Sequence, residues 1–241
     1  MAEFDPEAIR VVACDIFGTT VDWRTGVAEQ VAEIAAARGV DLDAGGFADA
    51  WRDRYPPSMQ RVNRAERDWA YLDTLHRESL DELLDEHGVA HAFDDLARQE
   101  LVHTWHRLPA WEDAVEGLSR LRDRHVLVAL SNGGFALLTH LVKAARLPFD
   151  AVLSAELARA YKPAARAYLT AAELLDVEPA RILMVAAHAW DIDGARNAGL
   201  RTAFLERPRE KGPHRTADRA ADVTSDLAVS GFRELADSLG C

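Results

Sequence analysis

The sequence predicts an α/β fold, a doubly wound parallel-sheet core with a helical cap inserted after its first strand. Two observations carry this. Short apolar runs such as Val11-Val12-Ala13-Cys14 and Ile182-Leu183-Met184-Val185-Ala186 read as strands buried on both faces, and from residue 110 onward such runs alternate with helical patterns. Between them, over about eighty residues, only helical spacing appears. The boundaries that follow are a core of residues 1–20 and 106–241 and a cap of residues 21–105.

In the cap, Val27, Val31 and Ile34 share one helical face, and Gly39 stops that helix. Phe47, Ala50, Trp51 and Tyr55 begin a second helix, which Pro56-Pro57 should interrupt or end. Trp69, Leu72, His76, Leu80, Leu83 and Leu84 recur at helical spacing over residues 66–84. Leu96, Leu101 and Trp105 continue the theme to Pro109. In the core, Val126 to Leu130 is a second strand and Ser131-Asn132-Gly133-Gly134 its end. A helix follows with Phe135, Leu138, Leu141 and Val142 on one side. Phe149 to Ser154, Ile182 to Ala186 and Thr202 to Leu205 are the next strands. Helices separate them, one with Ala167, Tyr168, Ala171 and Leu174 and one ending at Gly199. Arg207 to Arg219 reads as a polar loop, Asp222-Val223-Thr224 as a short last strand, and Phe232 to Leu239 as a closing helix. Alternating strands and helices imply right-handed crossovers, hence a Rossmann-like sheet.

A chain of 241 residues with 49% hydrophobic and 28% charged residues is ordinary for a globular protein with one good core. A net charge of −12 argues against nucleic acid or anionic membrane as partner, while leaving room for a locally positive pocket. Cys14 and Cys241 form no disulfide or metal framework, which fits a reducing, cytoplasmic setting. No apolar run approaches the roughly 18 residues of a membrane helix, and the N-terminus lacks signal-peptide character.

Four polar groups stand where strands end: Asp15, Ser131-Asn132, Lys162 and Asp191. In a doubly wound sheet those ends converge on one edge, the edge where ligands bind. Taken singly, each has an ordinary explanation as a turn former, a surface lysine or a helix cap. In sequence order they suggest one site. Gly18 lets the chain turn sharply after Asp15, Ser131 and the amides before the next helix offer an anion site, and Lys162 would keep Asp15 ionised.

This order and these residues resemble the haloacid dehalogenase superfamily, whose nucleophile is the aspartate of the first strand. Its phosphatases carry a second aspartate two positions later as acid and base; here that position is Phe17, which can do neither. A further magnesium-holding aspartate of theirs falls on Ala187, and Asp193 should point away from Asp191. Asp15-Ile16-Phe17-Gly18-Thr19 with Asp22-Trp23, Trp51-Arg52, Ser131-Asn132-Gly133, Tyr161-Lys162-Pro163 with Tyr168, and Ala189-Trp190-Asp191 are instead similar to the 2-haloacid dehalogenase branch.

The resemblance implies that Asp15 attacks C2 of a short 2-haloalkanoic acid, displaces halide with inversion, and forms an ester that water hydrolyses to the 2-hydroxy acid. Halide leaves without a proton, so Phe17 is no handicap. The substrate carboxylate would meet Ser131, Lys162 and the amides of Ile16 and Phe17. Arg52 would hold the departing halide with Asn132 and an aromatic edge, Phe17 or Trp190. Asp191 would place Lys162 and water, with Tyr168 and Thr19 in support. No metal or cofactor is implied, and a homodimer is common in the branch. One departure stands out: Ala186-Ala187-His188 replaces the branch's serines and asparagine. His188 reads equally as a base for ester hydrolysis, as a halide-side donor, or as a filler of the asparagine's volume. Two rival readings are a magnesium-dependent small-metabolite phosphatase and a non-catalytic ligand-binding relative.

Overall fold

The computed structural model describes residues 4–241. Its centre is a six-stranded sheet of β1 (Val11–Cys14), β2 (Val126–Ser131), β3 (Ala151–Ser154), β4 (Ile182–Ala186), β5 (Arg201–Leu205) and β6 (Leu227–Val229). The spatial order is β3-β2-β1-β4-β5-β6 and every pair is parallel. Cys14 sits between Ala129 of β2 and Val185 of β4. All four residues of β1 are buried. Because side chains alternate across a strand, Val12 and Cys14 enter the apolar core on one face, Val11 and Ala13 that on the other. The strand order reverses between β1 and β4, so the crevice at their carboxyl ends is the switch point of the sheet.

Between β1 and β2 lie α1 (Trp23–Ala36), α2 (Ala44–Asn63), α3 (Leu72–Glu86), α4 (Asp95–Val102) and α5 (Ala114–Arg122). Asp22, Asp43 and Asp94 cap three of them, each accepting a backbone N–H of the first turn. Phe47, Trp51, Tyr55 and Met59 fall every four residues along α2, and all are buried. Their apolar cluster is continuous with one face of the sheet. The remaining helices, α6 (Phe135–Ala144), α7 (Ala155–Ala158), α8 (Ala165–Leu174), α9 (Ala189–Asn197) and α10 (Phe232–Ser238), are the crossovers and the closing helix.

The sequence expectations need correction in four places. Pro56 and Pro57 do not end α2, which runs on to Asn63. The missing N–H groups fall beside half-exposed and exposed residues, while Tyr55 and Met59 anchor the helix on either side. The last strand is Leu227–Val229 rather than residues 222–224. Asp226 accepts from both the N–H (2.8 Å) and the hydroxyl (3.2 Å) of Thr202, which fixes where pairing with β5 begins. Trp69 lies ahead of α3, not in it. Leu96, Phe135 and Leu174 are exposed, because the buried stripes of their helices run one residue away from them. Among the described residues no helix is long and apolar enough to cross a membrane.

Candidate active site

Asp15 follows β1 directly and is buried. Thr20 Oγ1 donates to its carbonyl (2.6 Å), and Gly18 turns the chain at φ +88°. That glycine is required twice over: the φ is left-handed, and a Cβ there would collide with the Glu210 carboxylate. The loop is braced from outside. Trp111 Nε1 donates to Gly18 O (2.9 Å) and Arg207 Nε to Thr19 O (3.0 Å). Thr19 Oγ1 donates to Asp15 Oδ2 (2.9 Å) while accepting the Ala187 N–H (2.9 Å), so β1 and β4 hold one hydroxyl between them. The amides of Ile16 and Phe17 donate to no carbonyl among the described residues.

Lys162 is the hub. Its Nζ donates to Asp15 Oδ1 (2.9 Å) and to Asp191 Oδ2 (2.5 Å). It follows α7 and a left-handed Arg159 rather than the end of β3 itself. Asn132 grips its backbone, accepting its N–H (2.7 Å) and donating to its carbonyl (3.2 Å). Tyr168 Oη donates to Asp191 Oδ1 (2.6 Å), on the first turn of α9. Burial alone would push Asp15 up, yet the Lys162 ammonium and His188 hold it well below the usual carboxylate range. Burial works against the Lys162 charge, and its two carboxylates nonetheless hold its pKa above the ordinary value. Asp191, fully buried, is displaced upward by that burial, with Lys162 opposing.

His188 is the residue the geometry resolves most sharply. Its Nδ1 lies 3.4 Å from Asp15 Oδ2 and its Nε2 3.1 Å from Glu210 Oε1. Burial disfavours the imidazolium, but Glu210 and Asp15 together push its pKa up to about 10. Glu210 goes the other way, to about 2: burial opposes its charge, and His188 outweighs that. Trp23 Nε1 donates to the same Glu210 oxygen (2.9 Å). His188 is therefore set between two carboxylates that favour its charged form.

Arg52 enters from α2. Its guanidinium lies over the ring of Tyr55 (4.2 Å) and near that of Trp23 (5.4 Å), and its Nη1 is buried without a hydrogen-bond partner. Arg52, Tyr55, Lys162, His188 and Glu210 all line one cavity of about 390 Å³. Of the residues expected from sequence, Asp15, Thr19, Lys162, Tyr168, His188 and Asp191 form one connected polar network, with Asn132 behind it. Phe17 is buried edge-on to Tyr55 and Trp105 (6.3 and 5.9 Å). Ser131 accepts the Gly133 N–H at 3.4 Å. Trp190 lines the same cavity as Arg52 and stacks on His188 (5.5 Å). Sequence reasoning missed Glu210, inside the polar stretch Arg207–Arg219, and gave Trp23 no role of its own.

The donor set does not suit the magnesium ion found in phosphoryl-transferring members of this fold. Lys162 Nζ donates to one oxygen of Asp15 and Thr19 Oγ1 to the other, with His188 Nδ1 3.4 Å from that second oxygen, so the donors around Asp15 suit an anion rather than a cation. Asp193 is exposed and paired with Arg196 (2.6 Å). Among the described residues no three His, Cys, Asp or Glu side chains are placed to share a metal.

A family model described as haloacid dehalogenase-like hydrolase matches residues 9–199. The (S)-2-haloacid dehalogenase 1 of Pseudomonas sp. (strain CBS-3) is 30% identical over 207 residues, which is 83% of this chain and 86% of the relative. A crystal structure of a defluorinating L-2-haloacid dehalogenase superposes with a TM-score of 0.94 at 40% identity, covering 97% of this chain and 96% of the other. The L-2-haloacid dehalogenase of Xanthobacter autotrophicus with chloropropionic acid covalently bound superposes at 0.81 with 25% identity, over 96% and 98% of the two chains.

Proposed function

The chain belongs to the haloacid dehalogenase-like hydrolases, in their (S)-2-haloacid dehalogenase branch, and we propose that it hydrolyses 2-haloalkanoic acids to 2-hydroxy acids with inversion through an ester on Asp15. In this reading residues 21–105 form the cap over a core of residues 1–20 and 106–241. The observation that carries it is a buried carboxylate kept ionised by Lys162 and His188, with Phe17 where an acid would be needed to protonate a leaving oxygen.

The steps balance. A carboxylate oxygen of Asp15 attacks C2 as the carbon–halogen bond breaks, and the electron pair leaves with the halide toward the unpartnered Nη1 of Arg52. The amides of Ile16 and Phe17, which donate to no carbonyl among the described residues, receive the substrate carboxylate together with Lys162 and Ser131. Forming the ester removes one of the two negative charges that keep His188 protonated. With only Glu210 left, His188 passes its Nδ1 proton to solvent and, now neutral, takes a proton from the water attacking Cγ of Asp15. The Cγ–O bond to C2 breaks, the leaving alkoxide takes that proton from His188 and departs as the 2-hydroxy acid, and Asp15, now carrying the water oxygen, gives up the water's other proton to restore the imidazolium.

The test is halide release from (S)-2-chloropropanoate by the purified protein, with and without chelator. Activity should survive chelation and vanish in Asp15→Asn. In a single turnover in heavy-oxygen water, label should appear in Asp15. Label going straight into the product would mean that water attacks the substrate directly, and the proposal would be wrong.

A further inference from the structure

The cavity lined by Arg52 and by Lys162 and His188, the two groups set against the Asp15 carboxylate, is larger than a three-carbon acid requires. Its volume is about 390 Å³. A 2-chloropropanoate has six non-hydrogen atoms, and at roughly the 30 Å³ that one water occupies it fills about 180 Å³. About half the space is left over, in a cavity of the size that accommodates drug-sized ligands. The greater part of its lining surface is apolar. Tyr55, Pro56 and Met59 of α2 line one side, and Pro163 and Trp190 face the cavity from the core. Trp190 is 38% exposed although it is a large aromatic, and its ring is held by stacking on His188. The charges at the rim are already matched: Arg215 pairs with Asp53 (2.6 Å) and Lys211 with Asp218 (3.1 Å). Among the described residues, a second anionic group on the substrate would therefore meet rim cations that are already paired, whereas a hydrocarbon chain finds an apolar wall.

We propose that the site takes 2-haloalkanoates of four to six carbons in preference to the three-carbon acid, with the chain lying between Met59 and Trp190. This rests on the dehalogenase reading and adds the substrate class to it. The chain extends away from the reacting carbon, so its burial strengthens ground state and transition state alike. It should lower KM and leave kcat nearly unchanged.

The experiment is halide release by the intact protein from (S)-2-chloropropanoate, (S)-2-chlorobutanoate and (S)-2-chlorohexanoate. KM should fall about fourfold per added methylene, at near-constant kcat. Met59→Trp, which fills the wall, and Trp190→Ala, which removes its other side, should each cut the hexanoate-to-propanoate ratio of kcat/KM by roughly tenfold or more. A KM that is flat or rises with chain length overturns the proposal, as does a ratio that survives both substitutions. Release from none of the three acids would overturn the dehalogenase reading itself, a different result from release that ignores chain length.

Discussion

Replacing Glu210 by glutamine isolates what the buried His188 pair does. The change keeps the shape and an oxygen for Trp23 Nε1, and removes one charge 3.1 Å from His188 Nε2. At an effective dielectric near 20, that charge is worth about 5 kcal/mol to the imidazolium. The rise of His188 from its ordinary 6.5 to about 10 corresponds to a similar figure, about 5 kcal/mol; burial opposes it, and Glu210 is the largest of the causes that raise it. Once Asp15 is an ester, the variant histidine would be buried with no anion beside it, a poor proton acceptor. If the proton is about half transferred in the transition state, roughly 2.5 kcal/mol is lost, a slowing of about 10²-fold in ester hydrolysis. Formation of the ester should change far less, because Lys162 and Thr19 still hold Asp15. Rapid-quench kinetics with intact-protein mass spectrometry separates the two steps. The variant should show a burst of halide equal to one per site and accumulate protein carrying the acyl group. Equal slowing of both steps, or hydrolysis as fast as in the parent, would refute the role given to the pair.

Three further outcomes follow from the same geometry. In Lys162→Met, Asp15 and Asp191 lose their shared cation, so burial and mutual repulsion should raise Asp15. Activity at pH 7 should drop at least about 10²-fold and recover as pH rises; a pH-independent loss would contradict this. His188→Asn should be most destabilising between about pH 4.5 and 6.5, where both partners contribute fully. The His188 contribution, with its pKa raised, is complete below 6.5 and is lost as pH climbs through about 10; that of Glu210, with its pKa depressed, is complete above 4.5 and is lost as pH falls through about 2. Urea unfolding should show the gap between parent and variant shrinking by about 4 kcal/mol from pH 6.5 to 9.5, and a gap that is flat with pH would be inconsistent with a charged His188. Phe17→Asp should not create a chelator-sensitive phosphatase. It puts an unpaired carboxylate among Tyr55 and Trp105 and should cost at least about 3–5 kcal/mol of stability by thermal melt, with metal-dependent phosphate release as the contrary result.

The sheet was legible because its strands are buried on both faces, so each is a continuous apolar run that ends abruptly. The edges were not. β6 is three residues long and only its last residue is buried, so it leaves no pattern, and its start is set by the Asp226–Thr202 bonds across 24 positions. α2 passed through two prolines because burial of Trp51, Tyr55 and Met59 outweighs a local backbone preference that the sequence states plainly.

In the site, Asp15, Ser131-Asn132 and Asp191 could be read because each stands at or just past a strand end, and Lys162 and Arg52 because they sit in recognisable motifs; Glu210, which arrives by a loop, could not. Glu210 meets Trp23 across 187 positions and lies in a tract whose arginines, prolines and glycine read as solvated loop. The one trace it leaves is indirect. A histidine two residues past β4 has a buried place at the sheet edge, and a buried imidazolium beside a single carboxylate would share that partner with Lys162. Counted with Asp191 ionised and His188 protonated, the polar groups around Lys162 and His188 are three carboxylates, Asp15, Asp191 and Glu210, against three cations, Lys162, His188 and the neighbouring Arg52. Converting Asp15 to an ester leaves one positive charge in excess, which the acyl carboxylate neutralises, so the halide is the surplus anion and is free to go. That local balance is invisible in a chain whose net charge is −12, because composition averages over a surface that takes no part in the chemistry.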